Sequence, residues 1–286
     1  MIGRVERPPA VGARGWIVVS VIVASGLAAW HLELRPSELA HLVGSESLRE
    51  FFAAALTPSL GYEDPAVPAD VPPLLAVAGR AAWNTVVYAL AAMSLSIVAG
   101  VVLGVCGSSA WWPSSPRPGG ARRWALRALQ VVARTVSGLL RSIHELLWAV
   151  LFLATFGLDP LSAVLAVALP FGGVVGKLFA ELLDEAPRDA ARALAERGAS
   201  SFQVLCFGLV PRALPDLLGY AFYRFECALR STAVLGFFGL QTLGFHIRSS
   251  FDEGLYRQGW TYLYALIAVI LVTDAWSGAI RRRLAR

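Results

Sequence analysis

The sequence predicts an all-α protein that crosses a membrane six times. Three observations carry this. Hydrophobic residues make up 56% of the 286 residues and charged residues only 16%, against roughly 25% charged in soluble domains. Mean hydropathy is +0.59. The 25 basic residues, Lys177 being the only lysine, gather in short loops and at the chain ends, as the excess of cytoplasmic cations in membrane proteins requires. The net charge of +5 therefore reads as a membrane signature and not as a nucleic-acid one. Cys106, Cys206 and Cys227 have no metal-ligand spacing, so free thiols, no metal site and no cofactor are expected.

Residues 1–15 carry Arg4, Arg7, Arg14 and a Pro pair and read as a cytoplasmic start. Residues 16–32 are apolar and uncharged, and about 17 residues just suffice to span a bilayer. So short a core also fits a signal peptide; Trp16 and Trp30, set like interface anchors, favour an uncleaved first helix. Residues 33–79 are acidic, with Pro and Gly toward their end, and fit an external segment. Leu39, Leu42, Val43, Leu48, Phe51, Phe52 and Leu56 fall at roughly helical spacing there, which suggests an amphipathic surface helix.

Residues 80–280 form the five-helix core. Its crossings are predicted over 80–106, 124–156, 161–183, 211–235 and 259–280. The third enters through an arginine-bearing stretch with Arg127, Arg134 and Arg141, and residues 157–160 make a tight outer turn. The fourth is expected to be loosened by Pro170, Gly172, Gly173 and Gly176. Residues 236–258 are an outer Gly-rich segment. Arg281, Arg282 and Arg283 stop the last crossing, and residues 281–286 are a cytoplasmic tail. Six crossings place both termini in the cytoplasm of a cell whose inner membrane holds the protein.

Residues 187–210 interrupt this pattern with a polar elbow. Arg188 to Arg197 is Ala/Arg-rich and strongly helix-forming. Gly198 supplies a left-handed helix stop. Ser200 and Gln203 have the spacing of a capping box. Pro211 and Pro215 stand where the next helix begins. A helix–Gly–helix elbow between two crossings is suited to touching a partner outside the bilayer.

Ionisable residues inside a membrane are candidate functional groups because they are costly to keep there. Here they are His144 and Glu145, Lys177 and Glu181, and Arg224, Glu226 and Arg230. Glu226 and Arg230 share a helix face and can pair. Counted from Pro211, Glu226 lies about 22 Å along its helix, near or beyond the midplane. Mutual neutralisation and snorkelling compete with a role in an anion path. Enzyme motifs fail. His144-Glu145 opens like a zinc-protease motif, but Trp148 fills the second ligand position. Ser200 sits in a charged loop without a His base. The run Gly236 to Gly244 lacks a phosphate-loop lysine.

The elbow resembles the signature of ABC-importer permeases, EAA-x3-G-x9-I-x-LP. Gly198 matches its Gly, Pro211 its final Pro and Ala193 its first Ala, while Leu194 fills the second Ala position and Val210 the Leu position. Arg192 departs from the usual Glu, and Gly208 from the usual Ile. From about Asn84 onward the chain is most similar to phosphonate importer permeases. This rests on Leu140-Arg141-Ser142-Ile143 with Glu145, on Gly176-Lys177-Leu178-Phe179-Ala180-Glu181, and on Tyr223-Arg224-Phe225-Glu226 with Arg230-Ser231-Thr232. His144 departs from a usual Pro, and the turn from Gly239 to Gly244 from the family's Gly-Ala-Gly-Gly-Ile-Gly.

The resemblance implies a type I importer permease (MetI-like) fold. It also implies a homodimer of permeases on two ATP-hydrolysing subunits, fed by an external phosphonate-type binding protein. No catalysis is expected on this chain. The alternative is an ABC permease for phosphate, phosphite, a sulfonate or an amino acid. Ala190, Arg192, Ala193, Leu194, Gly198, Ala199 and Pro211 would form the ATPase-coupling element. His144, Glu145, Lys177, Arg224, Glu226 and Arg230 would line the path or gate. Arg192 is expected to meet an acid, either on the ATPase or at Glu196 one turn on.

Overall fold

The structure, a computed structural model, describes residues 13–33, 44–68, 70–110 and 120–284. The chain divides into two units, Met1–Leu56 and Thr57–Arg286. The first holds α1 (Ala13–His31) and α2 (Glu46–Leu56). The apolar part of α1, Gly15–His31, lies at the short limit of about 17 residues for a span, and its Trp16, Ile17 and Ile22 side chains are exposed. Leu48, Phe51, Phe52 and Leu56 fall on α2. Leu39, Leu42 and Val43 lie outside the described residues.

The second unit holds α3 (Leu74–Gly107), α4 (Gly120–Ser142), α5 (Glu145–Phe156), α6 (Pro160–Glu185), α7 (Asp189–Glu196) and the single turn α8 (Ser201–Gln203). A π segment (Val204–Leu209) leads into α9 (Val210–Leu235), followed by α10 (Leu243–Asp252) and α11 (Tyr256–Leu284). Among the described residues, four helices are long and apolar enough to cross a membrane, with one bent pair, α4 and α5, as a fifth candidate. The six expected crossings thus resolve into four long spans, a bent pair and one short apolar helix.

The pairing of α3 with α6 forms the centre of the core. Apolar side chains gain little by leaving lipid tails, so helices associate through close van der Waals packing of small residues. A Cβ at Gly100 would lie 2.4 Å from Cγ1 of Val175, and one at Gly104 2.7 Å from Cβ of Phe179. One at Gly176 would lie 2.7 Å from Cβ of Leu103. Ser96 adds a hydroxyl hydrogen bond to the Ala168 carbonyl at 3.1 Å. The glycines of the fourth crossing are therefore contact surfaces. The expected loosening is replaced by a continuous α6 that runs through Pro170.

The third crossing is broken. Between α4 and α5 the axis turns by 84°. His144 takes the extended conformation of an N-cap (φ −65°, ψ 146°), and its Nδ1 accepts from the Leu146 N–H at 3.3 Å. The Glu145 carboxylate follows in the first turn, where the helix dipole favours it. The Trp148 indole N–H reaches back to the Leu140 carbonyl across the corner. The outer turn at residues 157–160 is tight as expected: Gly157 is left-handed (φ +80°) and Asp159 caps Leu161 at 3.0 Å.

Beyond α9, α10 fills much of the outer Gly-rich segment. The buried Thr85 hydroxyl accepts from the Leu243 N–H at 3.1 Å and so fixes the start of that helix. Leu74, Ala78, Ala81, Leu243, Ile247 and Tyr262 bury together at this end. The loop before α3 is tied to α11: Arg257 Nε donates to the Thr57 carbonyl at 2.7 Å, and the Thr261 hydroxyl to the Ser59 carbonyl at 2.6 Å.

Candidate functional site

The elbow is built largely as its sequence indicates. α7 carries Ala190, Arg192, Ala193 and Leu194. Gly198 is left-handed at φ +84°. The capping box is complete: the Gln203 N–H donates to Ser200 Oγ at 3.3 Å, and the Ser200 N–H to Gln203 Oε1 at 2.8 Å. Leu194 and Ala199 pack against the core, while Arg192 and Ala193 are exposed.

Two features differ from expectation. The turn after Ser200 does not end before Pro211 but continues as one helical path through the π segment. Pro211 has no N–H to give the Phe207 carbonyl four residues back. A widened turn, in which the Val210 N–H donates to the Leu205 carbonyl, carries the helix past that gap. The second concerns Arg192, which forms no ion pair with Glu196, so of the two acids expected for it only one on a partner is left. Gly208 has a clear physical reason. A Cβ there would lie 2.9 Å from the Ala191 Cα, so the π segment and α7 touch backbone to backbone.

The intramembrane charges fall into separate groups. Arg224 Nε donates to the Tyr220 hydroxyl at 2.7 Å. Its guanidinium lies 5.5 Å from the Phe171 ring centroid, 5.4 Å from Tyr220 and 6.0 Å from Tyr223. Such a cage holds a cation by the negative faces of the rings. Tyr220 stands four residues before Arg224, a helical spacing that could have revealed this contact; Phe171, on α6, left no local signal.

Glu226 is 6% exposed. It does not pair with Arg230: its partner is Arg281 of α11, at 3.4 Å, which also meets Asp274 at 3.8 Å. Glu226 therefore lies level with the arginine-rich end of the last helix and is no isolated midplane charge. Assigning Arg281 to a stop signal concealed this pair. Glu145 is half-buried and accepts from the Ser231 hydroxyl at 2.9 Å, and His144 Nε2 lies 3.6 Å from its other oxygen. Arg230, next to Ser231, is exposed and without an ion pair among the described residues. Lys177 pairs with Glu181 at 3.4 Å.

One carboxylate unsuspected from sequence holds the elbow end together. Asp184 accepts from the Ser108 hydroxyl at 2.7 Å and from the N–H groups of Ser109 and Ala110 at 2.8 and 3.0 Å. The Ser109 hydroxyl at 3.4 Å and Arg134 at 3.2 Å add two more contacts. The end of α3 is thereby fastened to α6 and α4 just before the elbow.

Residues 96–286 match the model of the binding-protein-dependent transport system inner membrane component family. The chain belongs to this family. Among relatives, it is 37% identical over 154 residues to the phosphite transport system permease protein PtxC of Stutzerimonas stutzeri, covering 53% of this chain and 55% of that one. It is 28% identical over 261 residues to the phosphate-import permease protein PhnE of Mycolicibacterium smegmatis, covering 91% of this chain and 44% of that one. The chain thus spans about half the length of these relatives. Among solved structures, the inward-facing MetNI methionine ABC transporter superposes with a TM-score of 0.60 at 18% identity, over 76% of this chain and all of that one. At that identity the likeness concerns the fold. An amino acid ABC transporter also gives 0.60, at 14% identity over 73% of this chain and 94% of that one. The family's inner-membrane placement agrees with the apolar spans.

Proposed function

We propose that the chain is the transmembrane permease of an ATP-binding-cassette importer for phosphonate or a related phosphorus oxyanion. The observation that carries this reading is the elbow. A short helix with Asp189, Arg192, Ala193 and Glu196 exposed stands between two long spans, is stopped at Gly198, is followed by a capped turn at Ser200, and is pressed against the following helix at Gly208. A rigid projection of this kind fits the groove of an ATPase subunit. The family membership supports the same reading. The cargo is inferred from the relatives named for phosphite and phosphate transport and from the caged cation at Arg224, since guanidinium matches tetrahedral oxyanions.

In this reading Ala190, Arg192, Ala193, Leu194, Gly198, Ala199 and Pro211 couple to two ATPases, and Arg192 meets an acid on the ATPase surface. A second copy of the chain completes the pathway, and an external binding protein delivers the cargo. Glu145, His144, Lys177, Arg224, Glu226 and Arg230 tune the path or gate, with the termini on the ATPase side. Arg224 is the central member: held by three rings, it can release toward an anion without leaving a buried charge bare.

The test is reconstitution of the chain with its ATPase and binding protein in vesicles. ATP hydrolysis should rise with binding protein loaded with phosphonate or phosphite. Arg224→Ala should lower uptake about tenfold, the scale of one charge-assisted hydrogen bond. Stimulation by an amino acid or sulfonate alone would assign another cargo. No stimulation by any loaded binding protein would remove the importer reading.

A further inference from the structure

A cavity of about 300 Å³ lies where α3, α4 and α6 meet near the elbow. It joins the Lys177–Glu181 pair and Arg134 of the Asp184 clamp to Arg141 and Ser137, which neither group includes. Arg134, Arg141 and Lys177 line it, as do Ser137, Gly176 and Glu181. Two of the three cations are engaged. Arg134 donates to the Gly107 carbonyl at 2.9 Å and to Asp184 at 3.2 Å, and Lys177 meets Glu181 at 3.4 Å. The third, Arg141, has no ion pair among the described residues. Three cations face two carboxylates, so the site carries an excess positive charge.

The second observation is Ser137. The residue is only 3% exposed, lines the cavity, and its hydroxyl makes no hydrogen bond among the described residues. The hydroxyl is thus free to engage a polar group held in the cavity. A Cβ at Gly176 would stand 3.3 Å from that hydroxyl oxygen, so the absent side chain is what leaves the hydroxyl room. A donor hydroxyl beside an unpaired guanidinium and an ammonium is the donor set of an oxyanion site.

We infer that this cavity binds a phosphate-type oxyanion, either on an anionic lipid headgroup or free in solution. Cationic pockets between spanning helices hold lipid phosphates by the same chemistry. The anion would accept from Arg141, Ser137 and Lys177, and would draw Lys177 away from Glu181. Because α4, α6 and the end of α3 all contribute, an occupied site would brace the helices that lead into the elbow. The binding chemistry stands independently of the transport reading; only the free-anion source bears on cargo.

The experiment uses the full chain in nanodiscs of phosphatidylcholine with a minority of phosphatidylglycerol. Native mass spectrometry reads retained phosphatidylglycerol, and equilibrium dialysis reads labelled inorganic phosphate. The variants are Arg141→Gln, Ser137→Ala and the charge-neutral double change Lys177→Gln with Glu181→Gln. The wild type should retain one of the probes, with about tenfold weaker binding in Arg141→Gln and in the double variant. Lys177→Arg should keep it. Retention of phosphatidylglycerol alone assigns a lipid site, and phosphate binding without lipid assigns a free anion. If the wild type binds neither probe better than Ser137→Ala and the double variant, the inference is overturned. Neither readout requires uptake, so failure of the importer reading would leave a positive result standing.

Discussion

At the scale of single residues, the decisive contacts are those that tolerate no substitute. Glu226 is buried against a single arginine partner on α11. Removing one member of a buried pair strands a charge and costs about 3 kcal/mol, whereas removing both leaves neutral groups. Arg281→Gln should therefore destabilise the protein in thermal unfolding, and adding Glu226→Gln should restore most of the loss. An additive result would assign Glu226 to some other partner. Gly104 makes the opposite demand. Its missing side chain is space already taken by Phe179, so Gly104→Leu should cost about 1–3 kcal/mol through overpacking. Gly61, with nothing near its Cβ position, should accept Ala without comparable loss under the same assay.

At the scale of elements, the elbow is the most tightly specified piece. Ser200→Ala removes half of the capping box and should cost about 1 kcal/mol. Gly198→Val places a β-branched residue at φ +84° and should cost more than Ser200→Ala. Both are measured by unfolding and, under the proposed importer reading, by the ATP hydrolysed per unit of uptake, which should rise as coupling loosens. Much of this element was legible because its determinants are local: a helix former run, a glycine stop and an S-x-x-Q cap lie within a few residues of one another. The glycines of α6 were visible but misjudged, since their purpose is set by α3 and α4, which are distant in sequence. The α4–α5 break was missed for a related reason. The resemblance expects Pro at 144, and His144 reaches the same extended backbone by capping with its side chain, a solution no composition rule marks. Glu226 was recognised and given the wrong partner, because helical spacing offers Arg230 and only the packed fold offers Arg281.

At the scale of the whole molecule, pH acts on the end opposite the elbow. His246, on α10, stacks on Tyr262 at 5.0 Å and meets Phe245 edge-on. Burial lowers its pKa below the ordinary 6.5, since desolvation penalises the imidazolium. The folded state thus prefers neutral imidazole. That preference is fully satisfied above the unfolded pKa and turns into lost stability as pH falls through the lower folded value. Thermal stability should decline as pH falls below about 6.5, and His246→Phe should flatten that decline. An unchanged slope in the variant would place the acid sensitivity elsewhere. One further consequence follows from the unbroken helical path of Ser201–Phe238, 38 residues long. It is a beam of about 57 Å, with the elbow at one end and the outer glycine turn at the other. A pivot of about 5° at its foot sweeps the far tip by about 5 Å over that length. Displacement at the elbow would thus be geared to the opposite face as leverage.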